Sequence, residues 1–286
     1  MSHTIDLADG RTLELHELGD PDGFPVIYHH GTPGSGTLYA RWETPGVRLI
    51  SYDRAGYGGS TRRPGRQVAD VVEDVAAVAD ALGLERYATW GLSGGGPHAL
   101  ACAALADERL VAAASLAGVG PYGVDDLDWL AGMGEGNQKE FDLVLAGEDA
   151  MRATFEEERA GFLAIDAGQL REAMAPHLSP TDSAALTGPL AEYFHGNMHH
   201  GLADSVDGYI DDNLAFVKPW GFDVASIARP VLVVQGGDDL MVPRAHGEWL
   251  AAHVPGNESR IDDAHGHLTL VQDLVPDVHA WLLSHS

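Results

Sequence analysis

The chain has 286 residues, 45% of them hydrophobic, and a net charge of −26 with lysine only at Lys139 and Lys218. That length suits one large domain carrying an insertion, or two small domains. The acidity argues against nucleic acid and anionic membrane surfaces as partners, and the shortage of lysine argues against Schiff-base chemistry.

In chain order, residues 11–19 (RTLELHELG) alternate apolar and polar, as a half-buried edge strand would. Residues 25–30 and 47–53 are short β-prone runs that end in Gly- or Arg-rich loops. Residues 67–83 carry Val68, Val71, Val72, Val75, Val78, Ala79 and Leu82 at helical spacing, with Gly83 as the cap. A strand over 86–91, a helix over 95–106 and a strand over 110–117 follow. Residues 121–222 break the rhythm with acidic, helical-looking segments, and they are read as a helical insertion that lids the sheet. The alternation resumes with a strand at 230–236, a helix near 244–253 and a strand near 258–262. A closing helix spans 270–283, with Pro276 as a kink or an early break. Strands alternating with helices predict an α/β fold, a mostly parallel doubly wound sheet with helices on both faces. The division is 1–120 and 223–286 for the core and 121–222 for the insertion.

No run approaches 18 uncharged apolar residues, so no membrane span is expected. The N-terminal residues lack a basic region followed by an apolar stretch, so no secretory signal is expected and a cytoplasmic location follows. Cys102 reads as a small buried residue. No cofactor is expected, the partner is a small-molecule substrate, and self-association is left open.

The most informative segment is Gly91-Leu92-Ser93-Gly94-Gly95, which fits G-x-S-x-G between a strand and a helix. A serine on such a turn is held in a strained backbone conformation with its Oγ clear of the sheet edge. Side chains at 91 and 95 would collide there, and glycine removes them. A dinucleotide loop competes weakly, because Ser93 stands where the first pair of G-x-G-x-x-G needs glycine, and no GK[ST] occurs. A serine nucleophile needs a base and an orienting carboxylate. Carboxylates follow the strand at 230–236, in Asp238 and Asp239, and histidines follow the next strand, in His265 and His267. Both pairs stand at carboxyl ends of strands, where open α/β sheets bind ligands.

Four motifs in order, HHGTPGS at 29–35, DRAGYGGS at 53–60, GLSGGGP at 91–97 and GGDDLMVP with HGHL, make the chain resemble the α/β-hydrolase superfamily, and within it the capped bacterial esterases. The resemblance implies Ser93 as nucleophile, Asp239 as acid with Asp238 the neighbouring alternative, and His267 as base with His265 the competitor. It implies an oxyanion hole from the Thr32 and Gly94 N–H groups, with His30 bracing the loop. Asp53 and Arg54 are implied to tie loops together. Ser93 stands where the dehalogenase and epoxide-hydrolase branches carry aspartate, which argues against both of those chemistries, and HGTPG stands where iminopeptidases usually show HGGPG, which weakens an aminopeptidase reading. The expected reaction is hydrolysis of an ester, thioester or lactone of a small, largely apolar molecule. Acyl transfer, C–C hydrolysis, perhydrolysis, aminopeptidase chemistry, or binding without catalysis are the alternatives.

His30 is also a candidate substrate contact, and within the insertion Trp129, Met133, Phe194, Met198, Tyr209 and Trp220 could line an acyl pocket or pack the insertion against the body. Glu192, His195 and His199, followed by His200, have helical spacing but lack H-E-x-x-H, so no metal is expected.

Overall fold

The computed structural model describes residues 2–286. Eight strands form one sheet: β1 (Ser2–Asp6), β2 (Thr12–Gly19), β3 (Phe24–His29), β4 (Val47–Tyr52), β5 (Tyr87–Leu92), β6 (Leu110–Leu116), β7 (Val231–Gly236) and β8 (Glu258–Asp262). Their spatial order is β1-β2-β4-β3-β5-β6-β7-β8. The six strands from β4 to β8 in that order run parallel, while β1 pairs antiparallel with β2 and β2 with β4.

Side-chain alternation along the central strands explains the two covered faces. Ile27 and Ile50 point into one apolar cluster, and Val26, Tyr28 and Leu49 into the other. The first cluster is closed by α1 (Val71–Ala81), α2 (Gly95–Leu105) and, beyond the insertion, α9 (Arg244–His253), through Val75, Leu100 and Leu250. The second is closed by α10 (His267–Asp273) and α11 (Val275–Leu283), through Val271, Val278 and Leu282. Burying each such side chain contributes about 1.5–3 kcal/mol.

Between β6 and β7 lie six helices: α3 (Glu135–Ala146), α4 (Glu148–Ala164), α5 (Leu170–Ala173), α6 (Pro180–Ala185), α7 (Gly188–Gly201) and α8 (Asp207–Phe216). Their apolar residues join both clusters, Phe155 and Tyr209 the first, Met174 and Leu190 the second.

One expectation is corrected, and one open alternative is decided. The 11–19 segment is not an edge strand, because β1 pairs with it from Ser2↔His16 to Asp6↔Thr12. The closing helix is two helices, broken at Leu274, with Pro276 in the first turn of α11, where its missing N–H costs nothing. Cys102 is fully buried, and burial pushes its thiol up to about 12. Among the described residues no helix is long and apolar enough to cross a membrane.

Candidate active site

Ser93 opens the turn from β5 into α2 with φ at +55°, a left-handed conformation costing a non-glycine residue on the order of 1 kcal/mol. The turn is held on both sides: Ser93 N–H donates to Leu116 O (2.8 Å), and its carbonyl accepts from Gly96 N–H (2.8 Å). The glycines are sterically required. A Cβ on Gly91 would lie 2.0 Å from Gly95 O, and one on Gly95 would lie 2.1 Å from His29 O. The Ser93 side chain is half-buried, and among the described residues its hydroxyl has no hydrogen-bond partner.

Asp239 and His267 meet. The Asp239 Oδ2 lies 2.7 Å from His267 Nδ1, and both side chains are buried. Asp239 is held in turn, its Oδ1 accepting from Met241 and Val242 N–H (2.8 Å each) and its Oδ2 from Gln235 Nε2 (3.2 Å). Burial works against the His267 imidazolium, but the charge and hydrogen bond of Asp239, with the Asp182 charge added, outweigh it and raise the pKa above 6.5. The competitors lie elsewhere. Asp238 accepts from Thr181 Oγ1 (2.6 Å), and His265 sits 3.1 Å from the Asp262 carboxylate.

The loop after β3 runs beside the serine turn. A Cβ on Gly31 would stand 3.5 Å from Ser93 Cβ, and one on Gly94 only 2.8 Å from Thr32 Cβ. Among the described residues neither the Thr32 nor the Gly94 N–H has an acceptor. Arg54 fixes this loop by donating to the His30 and Gly31 carbonyls and to Thr32 Oγ1, while its N–H donates to His30 Nε2 (3.0 Å). His30 thus bonds both to the Arg54 N–H and, through Nδ1, to the Gly31 carbonyl (2.7 Å), and burial pushes its pKa well below the usual 6.5. Arg54 is balanced by Asp212 of α8, which also accepts from Thr32 Oγ1 (2.6 Å) and Tyr57 Oη (2.9 Å) and pairs with Arg66 (2.6 Å). Burial would push the Asp212 carboxyl up, yet the two guanidinium groups hold it well below the usual range.

Sequence reasoning missed Asp212, and it also missed Asp182. That residue lies in the first turn of α6 and is fully buried. It accepts from the N–H groups of His267 (2.7 Å), Leu268 (2.8 Å) and Thr269 (3.0 Å), the free donors at the start of α10. The helical segment between β6 and β7 thus supplies the cap of the helix that carries His267. Asp182→Ala is expected to cost about 2–3 kcal/mol. It should also lower the His267 pKa, because one of the charges that raises it is lost. Thermal unfolding and the pH dependence of activity check the two effects. A variant that loses stability without moving the pH inflection would reduce Asp182 to a purely structural cap.

A cavity of about 60 Å³ adjoins Ser93, lined by Thr32, Gly94, Met133, Glu140, Asn213 and Phe216 among others. A second, of about 280 Å³, shares Thr32, Asn137, Glu140 and Met241 with it and is walled by Met198 and Tyr209. Glu140 lines both cavities, and Glu158 and His177 bring two further ionisable groups to the larger one. Burial drives the Glu140 carboxyl up to about 7 against hydrogen bonds from Tyr209 and Asn213, with the Glu158 charge adding to the rise. Of the suggested pocket residues, Met133, Met198 and Tyr209 line these cavities. Trp129 instead donates to Gly120 O and meets Phe141 and His246 edge to face, Phe194 packs on Tyr193, and Trp220 lines a separate depression with Pro121 and Phe222. His195 bonds to Ile165 O, and His200 turns away from it towards Asp53.

Residues 25–274 match the family model for the alpha/beta hydrolase fold. The chain is 26% identical over 292 residues to a non-heme chloroperoxidase of Streptomyces lividans, covering 98% of this chain and 99% of that protein. A proline iminopeptidase of Xanthomonas citri is 33% identical over 107 residues, about a third of either chain (35% and 34%). A hydrolase from Pseudomonas aeruginosa PA01 superposes with a TM-score of 0.70 at 23% identity, covering 99% of this chain and 96% of that one.

Proposed function

This chain belongs to the alpha/beta hydrolase fold family, and from that premise we propose that it is a serine hydrolase of esters, thioesters or lactones. The observation that carries the reading is the 2.7 Å contact between His267 Nδ1 and Asp239. That contact fixes the imidazole so that Nε2 is the nitrogen free to act as base. Ser93 Oγ attacks the substrate carbonyl while His267 takes its proton. The Thr32 and Gly94 N–H groups bind the oxyanion, and their fixed position costs no reorganisation as charge develops. The intermediate collapses, His267 gives the proton to the departing alcohol, thiol or lactone oxygen, and the acyl group stays on Ser93. Water, deprotonated by His267, then releases the acid and restores Ser93.

The helices between β6 and β7 act as the cap. Met133, Met198 and Phe216 favour a small apolar acyl group, while Asn137, Glu140 and Asn213, with Glu158 and His177 in the larger cavity, offer polar contacts to the rest of the substrate. The full-length likeness to a protein named a chloroperoxidase supports a second reading on the same acyl-enzyme. There, hydrogen peroxide replaces water and a peracid leaves. Product analysis with peroxide competing against water separates the two.

The test is a fluorophosphonate probe followed by intact mass and peptide mapping. One adduct on Ser93 is expected. Because neutral His267 is the base, the labelling rate should fall as pH drops through an inflection above 6.5, the side to which Asp239 moves it. A folded protein that takes no adduct, or takes it at another residue, would sink the proposal.

A further inference from the structure

We propose that Glu14, His16, Asp53 and His200 form a binding site for a divalent transition cation of the zinc class. The inference is independent of the hydrolase reading, since none of the four lines either cavity beside Ser93. Strand periodicity builds half of the site. Leu13 and Leu15 turn into the core, so Glu14 and His16 emerge together on the other face of β2. Asp53 leaves the end of β4 beside them, its N–H donating to Glu14 O (2.9 Å). His200 arrives from the last turn of α7, on the insertion.

The donor atoms converge closely enough for one cation to gather them. His16 Nε2 lies 3.2 Å from Asp53 Oδ1, and His200 Nε2 lies 3.0 Å from Asp53 Oδ2 and 3.5 Å from Glu14 Oε2. All four donor atoms fall within 4.8 Å of one another. A tetrahedral ion with bonds of about 2.0–2.1 Å has ligand–ligand edges of about 3.3 Å. Two imidazoles with two carboxylates suit zinc and its neighbours, whereas calcium and magnesium prefer all-oxygen shells. Two carboxylates and two neutral imidazoles also balance a dication.

The surroundings support the same reading. Asp53 is oriented by N–H donors from Gly36 (2.6 Å, to Oδ1) and Gly59 (3.1 Å, to Oδ2), the outer-shell support that ligating carboxylates use. The backbone approaches closely at Gly58, where a Cβ would lie 2.0 Å from Asp53 Oδ2 and 2.8 Å from His200 Nε2. Entry is open, because the side chains of His200 and Glu14 are 35% and 21% exposed. A cation held here joins α7 to β2 and the loop after β4, and so stabilises only the folded arrangement.

The experiment is a Co²⁺ titration of the full-length, chelator-stripped protein followed by visible absorption, then displacement by Zn²⁺ and a thermal melt. Expected are one equivalent bound with the intense visible bands of a tetrahedral ion, full displacement by Zn²⁺, and a melting temperature that rises with Zn²⁺. His16→Ala and Glu14→Gln should each weaken binding about 100-fold, a quarter-share of a four-ligand site. Glu14→Gln keeps the side-chain shape, which guards against a folding defect, and circular dichroism verifies both variants. His195→Ala, remote from the cluster, should bind as wild type does. If the wild type gives no tetrahedral spectrum, or the two variants retain its affinity, the four side chains share protons and not a metal, and the proposal is overturned.

Discussion

Ser93→Ala is expected to lower kcat by about four to six orders of magnitude against any ester the wild-type protein turns over. On the proposed mechanism the variant removes the atom that carries the acyl group, while the Thr32 and Gly94 N–H groups and the cavity walls remain. A small rate above the uncatalysed reaction should therefore persist. Stability should barely change, because alanine meets the same φ of +55° that Ser93 already tolerates, and the lost hydroxyl has no hydrogen-bond partner among the described residues. A nitrophenyl-ester assay with a parallel thermal melt checks both statements. Turnover within tenfold of wild type would remove Ser93 from the mechanism.

Asp212→Ala is expected to be the most destabilising single change, at about 3–5 kcal/mol, because it leaves the buried Arg54 and Arg66 guanidinium groups without their counter-charge. That is a large share of a typical total of about 5–15 kcal/mol. Activity should fall as well, since Thr32 Oγ1 loses its acceptor and the Arg54 clamp on the 30–32 loop loosens. Asp212→Asn, which retains hydrogen bonding without charge, should fall between alanine and wild type. Urea unfolding measures the series, and a loss under 1 kcal/mol for alanine would show that the cations find other partners. The pH dependence has a definite sign. The Asp212 carboxyl is held below its unfolded value of about 3.9, so its contribution is present above that pH and is lost as pH falls towards the folded pKa.

What the sequence discloses follows from periodicity. The central strands and the helices that cover them carry clear apolar spacing, and their predicted spans agree with the observed ones to within a few residues. The G-x-S-x-G turn was readable because its constraint is local, two glycines forced by backbone atoms a few residues away or on the neighbouring strand. β1 was not readable, because Ser2, His3, Thr4 and Asp6 lie exposed at the sheet edge and show no alternation. Asp212 stands in the polar run Asp211-Asp212-Asn213, which reads as a solvated face until Arg54 is brought against it. Asp182 did leave a signal, the Ser179-Pro180-Thr181-Asp182 helix start, in which Ser179 Oγ accepts from Asp182 N–H (3.2 Å). That signal points Asp182 at its own helix. Its carboxylate instead serves a helix 85 residues further on, a pairing set only by tertiary packing.

The Asp182 contact also limits how this protein can be re-engineered. The segment that shapes the cavities and the helix that carries His267 are not separable modules, because one supplies the hydrogen-bond acceptor for the other. A chimera that exchanged residues 121–222 for those of a relative would change the pocket and, unless the donor chain brought its own carboxylate to the same spot, would also strip three N–H groups of their partner beneath the imidazole. Recombination libraries on this scaffold therefore need to hold position 182 fixed while the rest of the segment varies.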